Sequence, residues 1–140
     1  MFLTSYLIEM ELHYKITGTI LLLLSLIHIV FPKYFKWSKE LRVLSLLNRQ
    51  MFYVHTFFIA LTIFLMGMLC ITSSKELIET HLGQTLSLGF GVFWLARLLI
   101  QFFGYSSKLW KGKTIETTIH ILFSLIWAYF STVFLLGYFQ

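Results

Sequence analysis

The chain has 140 residues, of which 58% are hydrophobic and only 12% charged, with a formal net charge of +5 at pH 7. Soluble domains carry roughly 25% charged residues, so this composition excludes a water-soluble catalytic module, and a mean hydropathy of +0.80 makes a membrane the matching solvent. A single cysteine, Cys70, excludes an internal disulfide and CxxC chemistry, and no Gly-rich phosphate loop, HExxH or GxSxG motif occurs.

Taken from the N-terminus, the first charges are Glu9 and Glu11, where a secretory signal would carry basic residues, so the sequence predicts no signal peptide. Apolar runs able to cross a bilayer need about 20 residues each. Four are predicted, over about 14–31, 51–71, 85–104 and 115–137. They take up most of the chain, which implies one domain over 1–140. The expected fold is all-α, an integral membrane four-helix bundle.

Between the first two spans, "PKYFKWSKELRVLSLLN" repeats Tyr34, Trp37, Leu41 and Leu44 at helical spacing, with Lys33, Lys36, Lys39 and Arg42 mostly on other faces. That pattern predicts a short helix lying in the membrane interface, aromatics down and lysines toward phosphate. A helix that binds a partner would read similarly.

Basic residues alternate between connections. Lys33, Lys36, Lys39, Arg42 and Arg49 lie between spans one and two, and Lys108, Lys111 and Lys113 between spans three and four. The opposite segments hold Lys15 and Lys75 beside Glu9, Glu11, Glu76 and Glu79. The positive-inside rule then puts both basic connections in the cytoplasm and both termini on the other side. The net positive charge is topogenic on this reading, and no nucleic-acid partner is expected.

Each span also carries a stripe of small or polar residues stepping by three and four, the mark of one helical face. The stripes are Gly18, Leu21, Ser25 and His28; Asn48, Phe52, His55, Thr62 and Met66; Ser87, Phe90, Trp94, Arg97, Gln101 and Gly104; and Thr117, His120, Ser124, Trp127 and Ser131. Membrane helices pack through such residues because lipid offers no hydrophobic drive for association, so the stripes are expected to face one another.

Depth adds a second regularity. His28 lies four residues before Pro32, His55 six after Arg49, Arg97 seven before Gly104 and His120 seven after Lys113. At about 1.5 Å per residue all four sit roughly 6–10 Å inside the cytoplasmic end. A charge within the bilayer costs about 3 kcal/mol or more and usually marks a function. Glu116, about one turn nearer the cytoplasm, is the candidate counter-charge for Arg97, which could instead snorkel toward it and leave the layer purely structural.

Three uses of this layer stay open. A b-type haem could take two imidazoles of His55, His120 and His28 as axial ligands, with Arg97 on its propionates, Phe52, Trp94 and Trp127 flanking the ring, and Gln101 and Glu116 at the margin. This redox or haem-binding reading ranks first. A non-catalytic membrane subunit, assembly factor or module holding an anionic headgroup, fatty acid or quinone is the alternative. A zinc or copper site on His55, His120 and His28 ranks lower, because a guanidinium repels a cation. His13 and His81 form a possible outer pair, though exposed histidines are the plainer reading. Whether a reaction is catalysed is left open, and so is the choice between a cofactor and none. The lipid bilayer is the expected partner, with other membrane subunits or a homo-oligomer besides.

The stretches "LNRQMFYVH", "FWLARLLIQFF", "LWKGK" and "TTIHILFSLIWAYFSTVF" resemble small bacterial four-span integral membrane proteins to which no activity is attached. The resemblance runs from about Leu47 to the C-terminus. It implies that Asn48, Arg49, Gln50, His55, Arg97, Gln101 and Trp110 belong to one recurring pattern, and a bacterial cytoplasmic membrane as the location.

Overall fold

The computed structural model describes the backbone of residues 2–139 and the side chains of residues 5–139. Among these residues there are six α-helices and no strand: α1 (Phe2–Tyr34), α2 (Trp37–Glu40), α3 (Leu46–Thr72), α4 (Ser74–Glu79), α5 (His81–Phe103) and α6 (Thr114–Tyr138). Short 3₁₀ turns lie at Leu41–Val43 and Ser107–Leu109. Four segments are long and apolar enough to cross a membrane: Ser5–Tyr34 within α1, and the whole of α3, α5 and α6. Their outer surfaces are greasy; Ile29, Phe57 and Leu125 are 73%, 62% and 64% exposed. Such surfaces suit lipid as solvent and would be a liability in water.

The helices outrun the predicted spans because hydropathy finds the apolar stretch, while caps and breakers set the helix ends. Glu9, Glu11, His13 and Lys15 lower the hydropathy of α1 without stopping it, as no glycine or proline occurs before Gly18. Ser45 caps α3, its hydroxyl accepting from the Asn48 amide. Thr80 caps α5 by accepting from the Gly83 amide at 3.0 Å and also donates to the Glu76 carbonyl at 2.7 Å, joining the end of α4 to the start of α5.

The chain divides into two compact units, one of residues 1–14 with 75–140 and the other of residues 15–74. In the first, α5 and α6 pack antiparallel. Phe90 meets Phe134, Trp94 meets Phe130 and Trp127, and the Gln101 carbonyl meets His120, pairs that run in opposite chain directions. Gly91 permits the close approach, since a Cβ there would lie 2.7 Å from Leu135 Cδ2. The start of α1 belongs to this unit. Tyr14 is fully buried, donates its hydroxyl to Ser87 Oγ at 2.7 Å and sets its ring edge-on to Phe134. Ser87 in turn donates to the Leu77 carbonyl at 3.3 Å.

In the second unit, α1 crosses α3 at two glycines. A Cβ on Gly18 would sit 2.8 Å from the Gly67 carbonyl oxygen, and one on Gly67 would sit 2.9 Å from that of Gly18. This is small-residue packing of the kind membrane helices use. The buried face of α3 is Ile63, Met66, Gly67 and Cys70. The predicted stripe shares only Met66 with it; Asn48, Phe52, His55 and Thr62 are exposed. Between α1 and α3 the chain forms only the four-residue helix Trp37–Glu40, entered through Lys36 in a left-handed conformation (φ 50°), so Tyr34, Trp37, Leu41 and Leu44 do not share one continuous α-helix. Trp37 turns onto α3, edge-on to Phe52 at 4.6 Å and Tyr53 at 5.6 Å.

Candidate functional site: an arginine on a tryptophan stack

On α5, Trp94, Arg97 and Gln101 are separated by three and four residues and so share a face. Trp94 and Gln101 are buried and Arg97 is half-buried. Trp94 stacks on Trp127 of α6, with ring centroids 4.9 Å apart and planes 14° from parallel, and Phe123 stacks on Trp127 at 5.4 Å. The Arg97 guanidinium carbon lies 5.1 Å from the centre of the Trp127 ring and 5.6 Å from that of Tyr105. A cation over an indole face is stabilised by about 0.5–2 kcal/mol, more when water is absent. Nη1 of Arg97 donates to Gln101 Oε1 at 3.1 Å, one turn further along the helix. The side chain therefore snorkels toward the C-terminal end of α5, with Gln101 as its acceptor. Glu116, the anticipated counter-charge, is exposed, and among the described residues no ion pair joins it to Arg97.

His120 enters the cluster through the same glutamine. Its Nε2 donates to the Gln101 backbone carbonyl at 3.1 Å, and its ring stacks on Trp110 at 4.0 Å and meets Phe102 edge-on at 5.8 Å. Trp110 is itself held over α6, because Thr117 donates to its carbonyl at 2.7 Å. One turn of α5 thus serves Arg97 by its side chain and His120 by its backbone.

Donors outnumber acceptors here. A guanidinium has five N–H groups. The indole N–H groups of Trp94 and Trp127 are buried, and among the described residues neither has a hydrogen-bond partner. Leaving such a donor unsatisfied costs about 1–3 kcal/mol. The half-buried guanidinium, with N–H groups beyond the one that Gln101 accepts, is suited to a ligand that brings acceptor oxygens and negative charge.

The other two anticipated histidines belong to the unit of residues 15–74. His28 is half-buried; its Nδ1 donates to the Leu24 carbonyl at 2.7 Å, which leaves Nε2 as the lone-pair nitrogen of the neutral ring. His55 is exposed on α3. The stripe serines bond back to their own helices, Ser25 to Leu22, Ser124 to His120 and Ser131 to Trp127, and not across to histidines. Among the described residues of either unit, no three His, Cys, Asp or Glu side chains assemble into a metal-holding group. Of the outer pair, His13 takes Tyr129 as partner, Nδ1 to hydroxyl 2.8 Å, while His81 is exposed at the start of α5. Sequence reasoning missed the buried Tyr14–Ser87 bond; an isolated tyrosine at a span boundary gives no signal that a serine on another helix awaits it.

Four membrane-capable helices with apolar exteriors and no strand among the described residues define the class: an all-helical membrane protein. Against known proteins, the sequence matches no family model, no curated protein and no solved structure.

Proposed function

We propose that this chain is a non-catalytic module of a bacterial cytoplasmic membrane, with its basic connections inside and both termini outside, that holds an anionic headgroup at Arg97. The supporting observation is the donor excess: a half-buried guanidinium over the Trp127 ring, with Gln101 as its one side-chain acceptor among the described residues. Lys108, Lys111 and Lys113 follow α5 on the side toward which Arg97 reaches, and would hold the same phosphate zone.

Trp94 and Trp127 supply the readout. Purified protein in neutral detergent, titrated with a short-chain phosphatidylglycerol, is expected to change its tryptophan emission at lower concentration than with the matching phosphatidylcholine. Arg97→Gln should raise the phosphatidylglycerol midpoint about tenfold, the loss of one charge-assisted contact. Equal midpoints for the two lipids, or no effect of Arg97→Gln, would exclude the headgroup reading.

A second reading, b-type haem, draws support from His28, whose Nδ1–H bond to the Leu24 carbonyl would hold the ring in place and leave Nε2 to take the iron. His55, in the same unit as His28, would be the second ligand. A reduced-minus-oxidised optical spectrum decides it, since a colourless preparation made with excess haem precursor removes haem. Metal analysis of the same sample tests zinc or copper.

A further inference from the structure

The face of α3 that carries Asn48, His55 and Thr62 is not accounted for by the packing of the chain. The three residues are spaced by seven, so they form a single seam that drifts only about 20° per heptad. All three are exposed, and among the described residues none of their side chains makes a hydrogen bond. Thr19, Thr56, Thr72, Thr85, Thr118 and Thr132 each donate to the carbonyl four residues back; Thr62 does not, and neither does the buried Thr17. Counting about 1.5 Å per residue, His55 lies roughly 9 Å past Arg49 and Thr62 roughly 15 Å from the end of α3. At the depth of Thr62 there is no water to satisfy a hydroxyl, and an acyl chain offers neither donor nor acceptor.

We infer that this face is the interface between two copies of the chain, packed with their α3 helices parallel so that Asn48, His55 and Thr62 each meet their own counterpart. Copies of one membrane protein insert with the same orientation. A two-fold axis along the membrane normal therefore runs α3 parallel to its twin and brings equal depths together. An amide, a neutral imidazole and a hydroxyl each carry both donor and acceptor, so each can bond to its own copy, which a lysine or a carboxylate could not. Between them at the alternate seam positions stand Met51, Phe58 and Leu65, exposed by 45%, 56% and 56%, which supply the apolar knobs of a heptad interface. The inference is independent of what Arg97 binds.

Cross-linking in native membranes tests it. In a Cys70→Ala background, Thr62→Cys should form a disulfide-linked dimer on mild oxidation, because residues facing each other across the seam come within about 7 Å at their Cα atoms. Phe57→Cys, about 140° around the helix, should not. In detergent, His55→Leu should weaken self-association about fivefold, and His55→Asn, which keeps a donor and an acceptor, should restore it. Equal cross-linking at both positions, cross-linking of Thr62→Cys only to a different protein, or a monomer unaffected by the His55 variants would overturn the inference.

Discussion

On α5, Ser87, Trp94 and Gln101 are buried and Arg97 is bonded within the chain; on α3, Asn48, His55 and Thr62 recur just as regularly but face outward. The two helices look alike in sequence, each an apolar rod with a polar stripe. What separates them is the position of the small residues. Gly83, Ser87 and Gly91 lie on the buried face of α5, which also carries Trp94 and Gln101, and let neighbouring chain approach there. On α3 the small residue is Gly67, which is not on the polar stripe, and the backbone of α1 comes in over Gly67. Close packing therefore follows the glycines, and the polar stripe of α5 falls on its packed face while that of α3 does not.

The strongest way to break this comparison is to remove bulk from each region in turn. Trp127→Ala takes out the indole under Arg97 and should cost about 3–5 kcal/mol of stability, whereas Phe57→Ala on exposed α3 should stay within about 0.5 kcal/mol. Thermal unfolding in a single detergent measures both. Next in size are the glycine contacts: Gly18→Leu drives a side chain into the Gly67 backbone and should destabilise by about 1–3 kcal/mol, read the same way. Gln101→Leu should cost about 1 kcal/mol, because Arg97 loses its acceptor while His120 keeps its bond to the backbone carbonyl. A ring-current shift of the His120 signals preserved in the NMR spectrum of that variant would confirm that the Trp110 stack is independent of the Gln101 side chain. The smallest effect is expected at Thr62→Val, within about 0.5 kcal/mol for the unfolding of the single chain. A larger loss there would mean that Thr62 is already used inside the chain, and the contrast between α3 and α5 would fail.

Much of the Arg97 cluster could be read from spacing. Trp94, Arg97 and Gln101 step along one face, and the Gln101 turn bonds both Arg97 and His120. Glu116 misled because it is the closest carboxylate in depth, yet it lies in the first turn of α6 and is exposed. An amide four residues along the same helix was a nearer acceptor than a charge on another. The α3 face was misjudged for a related reason. Its packing surface, Ile63, Gly67 and Cys70, carries no polar side chain to announce it.

Composition and periodicity alone determined that the chain is helical, that four segments can cross a membrane, and that each has one polar face. Those properties depend on the solvent and on 3.6 residues per turn, both of which are local. Which polar face turns inward was decided only by tertiary packing, because helices approach where side chains are small, and a hydrogen bond forms only once two backbones are close enough to support it. Tyr14 shows the point at one residue: its hydroxyl reaches Ser87 because Gly137 has no Cβ to block it.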